Sequence, residues 1–259
     1  MAGKTKSKPS ANGKPTVKND IWETVVVLFQ ALLIALVFRS LLFQPFSIPT
    51  ASLQSNLLIG DYILTSKYTY GYSKYSFSPF EFLPINGRIF GRAPEQGEIA
   101  VFRPVPQNVD YVKRVVGLPG DTIQMKNGVL NINGTAVKKE RVGTKIDTDS
   151  YGTSIPVILY RETLPNGASY IVQEISDNQA LDNTAEYVVP DGHFFMMGDN
   201  RDRSADSRVL RSVGYVPLEN FIGKAEVRFF SIKDNINPWQ IWRWPGNVRL
   251  ERMFQSVYQ

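Results

Sequence analysis

The feature that most limits this chain is an apolar run near its start. Val25–Phe29 and Ala31–Phe38 are separated only by Gln30, and Leu41-Leu42-Phe43 follows Arg39 and Ser40. A helix from Ile21 to Phe43 would be about 35 Å long at about 1.5 Å per residue. That is enough for a hydrocarbon core of about 30 Å. Pro45 marks the far limit, because its ring blocks a continuing helix. Glu23 and Arg39 fall near the ends, where charged heads can reach the headgroups. No small-x-small cleavage site follows closely, so residues 21–44 read as a retained transmembrane anchor rather than a removed leader. A buried core helix is the competing reading.

Charge is concentrated ahead of this run. Residues 1–20 hold five lysines against Asp20, a net of +4, while the whole chain carries +5. The rest is therefore close to neutral. A nucleic-acid-binding domain keeps its basic surface within the fold, so no nucleic-acid partner is expected. The tail is rich in Lys, Ser, Asn, Gly and Pro and reads as disordered over 1–20. The positive-inside rule keeps it cytoplasmic and sends the residues after 44 to the far side.

The chain has no cysteine and one histidine, His193. Disulfides, thiolate metal sites and cysteine nucleophiles are removed together. A Ser-His-Asp triad has only one possible base. His193 stands at the start of an apolar strand and reads as structural.

Beyond the anchor the pattern is mainly β. Asp61–Leu64, Ile99–Phe102, Tyr111–Val116, Val129–Ile132, Ser154–Tyr160, Tyr170–Val172 and Ala225–Phe230 are short strand-like runs bounded by Gly, Asn and Pro turns. Residues 68–96 read as an extended loop or ribbon.

Three segments carry candidate chemistry. Ile48-Pro49-Thr50-Ala51-Ser52-Leu53 is rich in hydroxyls and lies only a few residues past the anchor. In Tyr111–Gly117, strand alternation puts Tyr111, Lys113 and Val115 on one face and Val112, Arg114 and Val116 on the other. A lysine with a pKa of about 10.4 is no base at neutral pH, but burial can lower it by several units. A neutral amine beside a serine can then take its proton. Arg114 cannot, since a guanidinium stays charged. The pattern alone leaves the plainer reading open, a lysine at a sheet edge with a solvated head. Ser47, Thr50 and Ser55 likewise rival Ser52. Gly198-Asp199-Asn200-Arg201-Asp202-Arg203-Ser204-Ala205-Asp206-Ser207-Arg208 is densely polar after the apolar Phe194-Phe195-Met196. Its spacing does not fit an EF-hand calcium loop, so it reads as a hydrogen-bonded turn and no metal is expected.

Together with Gly97–Arg103 and Gly117-Leu118-Pro119-Gly120-Asp121, these segments resemble bacterial type I signal peptidase, most closely its alphaproteobacterial forms. The resemblance covers nearly the whole chain, with the segments in the family's order. It implies a mainly β fold: an antiparallel β catalytic domain over 45–121 and 193–259, with a second β domain inserted at 122–192. It implies a membrane-bound serine endopeptidase that removes signal peptides after small-x-small sites. By the same resemblance Ser52 is the nucleophile and Lys113 the general base. Thr50 supplies an oxyanion hydroxyl beside the Ser52 N–H, and Ser204 supports the lysine. Gly198 leaves backbone room, and Asp206 and Arg208 form a supporting ion pair. Ile48, Leu53, Leu57, Tyr111 and Val112 fall on pocket-lining positions. No cofactor is implied. The partners implied are precursor proteins bearing signal peptides, membrane lipid, and the secretion machinery in transient contact. The location implied is the inner membrane, with the catalytic domain in the periplasm.

The serine segment departs from the family's usual Pro-Ser-Gly-Ser-Met-x-Pro-Thr-Leu. Ser55 and Asn56 replace the proline and threonine, which is expected to loosen the segment. Two other readings stay open on sequence: a related Ser-Lys protease for a specialised secretion or conjugation substrate, and a non-catalytic membrane-anchored β-domain.

Overall fold

A computed structural model describes residues 17–77, 85–105, 107–148, 152–233, 236–237 and 239–258. The tail up to residue 16, and 78–84 of the extended segment, lie outside the described residues. The chain divides into two units, Met1–Phe38 and Arg39–Gln259.

Helix α1 runs from Val17 to Leu41. Its stretch Ile21–Leu41 has a mean hydropathy of 2.3 and is long and apolar enough to cross a membrane. Its large side chains, such as Leu28, Phe29, Leu32 and Ile34, are exposed, which removes the core-helix reading. The helix starts four residues before the expected anchor, so residues 17–20 are helical rather than part of a disordered tail. It also stops earlier than expected, and Phe43 already belongs to a strand.

In the second unit the chain forms β1 (Phe43–Ser47), β2 (Asp61–Ser66), β3 (Ile99–Phe102) and β4 (Tyr111–Gly117). Next come β5 (Thr122–Lys126), β6 (Val129–Ile132), β7 (Thr135–Ala136), β8 (Lys138–Thr148), β9 (Ser154–Thr163), β10 (Ser169–Glu174) and β11 (Tyr187–Val188). Last are β12 (His193–Met197), β13 (Val216–Pro217), β14 (Phe221–Ser231) and β15 (Gln255–Ser256). The large sheet has the order β1-β2-β14-β3-β4-β12-β13, with β15 also on β14. The strands β5 to β11 form two smaller sheets, β10-β9-β8 and β11-β5-β6-β7. All these strand pairs are antiparallel. Pro45 is tolerated because β1 is an edge strand, where a missing N–H costs no ladder bond.

Strand β4 lies between β3 and β12, with Ala100 opposite Lys113 and Met197 opposite Arg114. The expected alternation holds, but both faces are covered. Tyr111 and Val115 pack with Ala100 and Phe102. On the other face Val112 packs with Ile99 and Val101, and Val116 with Phe195 and Met197. Val116, Phe195 and Met197 also share a core with Ile123, Leu130 and Val172 of the smaller sheets. Lys113 and Arg114 are therefore both taken out of water, at 3% and 2% exposure.

Candidate active site

The serine sits on a single 3-10 turn, Ala51–Leu53, entered from extended Thr50. Its carbonyls are tied to the polar segment after β12. The Asn200 N–H donates to Ser52 O at 3.0 Å, and Asn200 Nδ2 to Ala51 O at 3.1 Å. Leu53 and Leu57 anchor the turn from below, in a core with Ile63 and Val101. Ser52 Oγ then lies 2.6 Å from Lys113 Nζ, with Thr50 Oγ1 at 3.4 Å.

Burial lowers the Lys113 amine from its ordinary range to about 8; Asp206 and Asp199 oppose the shift, and Arg208 adds to it. The alternative of a solvated lysine at a sheet edge is thereby set aside. A lysine in this state has an appreciable neutral fraction near pH 8, and the neutral amine can accept a proton from the hydroxyl it faces.

The segment Gly198–Arg208 folds around this pair. A Cβ at Gly198 would stand 2.2 Å from Ser204 Oγ and 2.6 Å from Ser52 O, closer than any side chain can sit. Ser204 is thus packed against the backbone beside the serine turn. Among the described residues its buried hydroxyl makes no hydrogen bond of standard geometry, to Lys113 or to any other group, although it lies near enough to Asp206 to help hold that carboxyl down. The direct support expected from Ser204 is not made in this arrangement. Asp206 and Arg208 form a fully buried pair, Arg208 Nη2 to Asp206 Oδ2 at 2.9 Å. Burial alone would raise the Asp206 carboxyl, but Arg208 and the Gly198 N–H more than offset it and hold it below its ordinary value. The acids of this segment are taken up by protein donors. Asp199 binds Arg114, Asp202 accepts the Ile175 N–H at 2.6 Å, and Asp206 binds Arg208. Among the described residues no group of three or more potential metal ligands converges.

A cleft of about 580 Å³ opens on the pair. Ile48, Leu53, Tyr111 and Val112 line it, together with Thr50, Ser52, Lys113, Gln107 and Arg203. Leu57, expected among the lining residues, is absent from the wall; it is fully buried beneath the serine turn and has no face to offer a ligand. His193 is remote from this chemistry in its bonding: its Nδ1 lies 2.9 Å from Asp191 O at the strand entry.

Several participants were not foreseen. Arg114 holds Asp199 with two bonds, Nε to Oδ1 at 2.8 Å and Nη2 to Oδ2 at 2.7 Å. Arg201 similarly grips Glu162 of β9. Ser55 and Asn56 do not loosen their segment. Ser55 Oγ donates to Ile171 O at 2.7 Å, and Asn56 Nδ2 reaches Asp199 and the same carbonyl. Gln54 Nε2 adds a bond to Asp147 at the end of β8. The only advance signal was a high density of polar residues; their partners lie far away in sequence.

The family model described as "Signal peptidase, peptidase S26" matches residues 21–230. A signal peptidase I from Rickettsia akari is 42% identical over 267 residues, covering 96% of each chain. One from Rickettsia typhi is 43% identical over 244 residues, covering 87% of this chain and 89% of the relative. Among solved structures, a signal peptidase I from Enterococcus faecalis is 26% identical and covers 51% of this chain and 97% of its own, with a TM-score of 0.29. That score adds nothing to the fold, which rests on the strand pairing described above. With the family match across most of the chain and relatives above 40% identity along nearly all of it, the chain belongs to the signal peptidase family of serine endopeptidases, peptidase S26.

Proposed function

We propose that Ser52 and Lys113 form the reacting pair of this membrane-anchored signal peptidase. The carrying observation is the 2.6 Å approach of Lys113 Nζ to Ser52 Oγ at the floor of an open cleft. Neutral Lys113 takes the Ser52 proton as Oγ bonds to the scissile carbonyl carbon. The carbonyl oxygen becomes an oxyanion, faced by the Thr50 hydroxyl and the Ser52 N–H. Each such donor contributes about 3 kcal/mol to transition-state stabilisation. The carbon–nitrogen bond then breaks, and the Lys113 ammonium gives its proton to the leaving amine. Water, deprotonated by Lys113, attacks the ester and frees Ser52. Gly198 and the Asp206–Arg208 pair hold the backbone and the charge around Lys113.

The precursor lies extended in the cleft. Ile48, Leu53, Tyr111 and Val112 offer apolar walls to small side chains at the first and third positions before the scissile bond. Residues 122–192 act as an inserted β domain in a catalytic domain of 45–121 and 193–259. The tail is cytoplasmic, α1 crosses the inner membrane, and the catalytic unit is periplasmic, where it meets the secretion machinery transiently. Exposed Trp239, Ile241 and Trp242 give the lipid surface a second contact.

The test is cleavage of a precursor whose signal peptide ends in Ala-x-Ala by the full-length protein in detergent, with Ser52→Ala as control. Cleavage after the second alanine, lost in Ser52→Ala, is expected. Undiminished cleavage by Ser52→Ala would sink the assignment.

A further inference from the structure

Asn56 lies four residues after Ser52 and does not line the cleft, yet it is held from several sides. Its Nδ2 donates to Asp199 Oδ2 at 2.6 Å and to Ile171 O of β10 at 3.0 Å. Its backbone carbonyl accepts Arg228 Nη1 at 2.8 Å and Arg252 Nη2 at 3.0 Å. Its N–H closes the turn onto Leu53 O at 2.9 Å. The orientation of the amide is forced, because a flip would set its oxygen against a carboxylate and a carbonyl, both pure acceptors.

The position of these bonds gives them their meaning. The 2.6 Å gap between Ser52 and Lys113 joins two segments distant in sequence, the 3-10 turn and β4. Asp199 is gripped by Arg114, the neighbour of Lys113 on β4. The same carboxylate takes the Asn56 amide from the turn. Asn200, the residue after Asp199, holds the Ser52 carbonyl. One carboxylate thus ties the strand bearing the amine to the turn bearing the hydroxyl. We infer that Asn56 is a positioning residue for Ser52, acting through Asp199 and Arg114, and that it sets the rate of acylation rather than the affinity for precursor. This rests on the Ser52–Lys113 reading above.

The test compares Asn56→Leu, Asn56→Asp and Asn56→Thr in the full-length protein in detergent. Reactive sites are first counted by labelling Ser52 with a serine-reactive penem. In Asn56→Leu, kcat per titrated site should fall about tenfold or more, the order expected when a hydrogen bond to a charged acceptor is left unmade. KM should stay within about twofold, because no wall of the cleft changes. Asn56→Asp should fall further, since it sets a second carboxylate against Asp199. Asn56→Thr, which keeps one donor, should fall least. The penem acylation rate should drop by the same factors. A kcat per titrated site within twofold of the parent in Asn56→Leu would overturn the inference. So would a loss appearing only as fewer titratable sites or a lower Tm, which a merely structural residue would give. If the parent cleaves no precursor but is acylated by the penem, the peptidase reading fails while the acylation ratios still decide the role of Asn56. A parent that is not acylated overturns both.

Discussion

Two lysines in the folded unit are almost wholly removed from water, Lys67 at 0% exposure and Lys113 at 3%. Burial lowers both amines to about 8. Their partners differ. Lys67 Nζ donates to the backbone carbonyl of Ser76, an atom that can only accept. Lys113 Nζ faces the Ser52 hydroxyl, which has a proton to lose, and the cleft reaches both. Lys67 lines no part of that cleft. A lowered pKa is therefore a consequence of burial and does not by itself make a base. What separates the two sites is a neighbour able to give up a proton and a path for substrate to reach it.

The sharpest way to break the comparison is to remove each amine. Lys113→Ala should lower kcat/KM for precursor cleavage by about 10³-fold, within the range for loss of a general base. Lys113→Arg should not rescue it, because a guanidinium keeps its proton. Lys67→Ala should leave kcat per active site within severalfold of the parent. Equal losses would remove the distinction.

Crowding the hydroxyl side tests geometry without touching either amine. Gly198→Ala forces a Cβ into the space of Ser204 Oγ and Ser52 O. A displacement of about 1 Å at a reacting group can cost about 10²-fold in kcat, and a fall of that order is expected in single-turnover cleavage. An unchanged rate would show that the turn has slack.

Altering the charge around Lys113 sharpens the electrostatic half. Asp206 is the charge that most opposes the lowering of the Lys113 amine. Asp206→Asn should move the ascending limb of the pH–rate profile, set by deprotonation of Lys113, to lower pH. It also leaves Arg208 buried and unpaired, a loss of about 3–5 kcal/mol of stability, readable by denaturant unfolding. The share of the parent's stability that rests on Lys67 and Lys113 should itself rise with pH between about 8 and the ordinary lysine range. There the unfolded chain keeps protons on these two amines that the folded one has lost, whereas the buried Tyr70, Tyr170 and Tyr258, raised by burial, act in the opposite sense as pH nears the ordinary tyrosine range. Lys67→Met should flatten that rise while leaving the pH dependence of cleavage in place. The smallest effect belongs to His193→Ala, whose ring is occupied at the strand entry; cleavage should stay within about twofold.

Much of this was legible in the residues. The alternation of Tyr111–Gly117 and the apolar length before Phe43 are local properties, and they anticipated β4 and most of α1. The burial of Lys113 was not local. It follows from β3 and β12 closing both edges of β4 and from the cores packed on its two faces, contacts that bring together residues far apart in the chain. Strand β8 was missed because Lys138–Thr148 is charged, largely exposed, and held in register chiefly by its partner β9. Leu57 was misplaced because its apolar side chain suits a pocket wall and a core equally; only the packing beneath the turn separates them. Ser55 and Asn56 read as loosening substitutions because their acceptors, Ile171 and Asp199, are supplied by distant segments.

The dependence of kcat/KM on pH, measured on one precursor with the parent and with His193→Ala, is the most direct test of an uncharged Lys113 amine as base. Activity should rise with pH through a limb near 8 in both proteins. A limb at about 6.5, the ordinary range of histidine, that disappears in His193→Ala would contradict it.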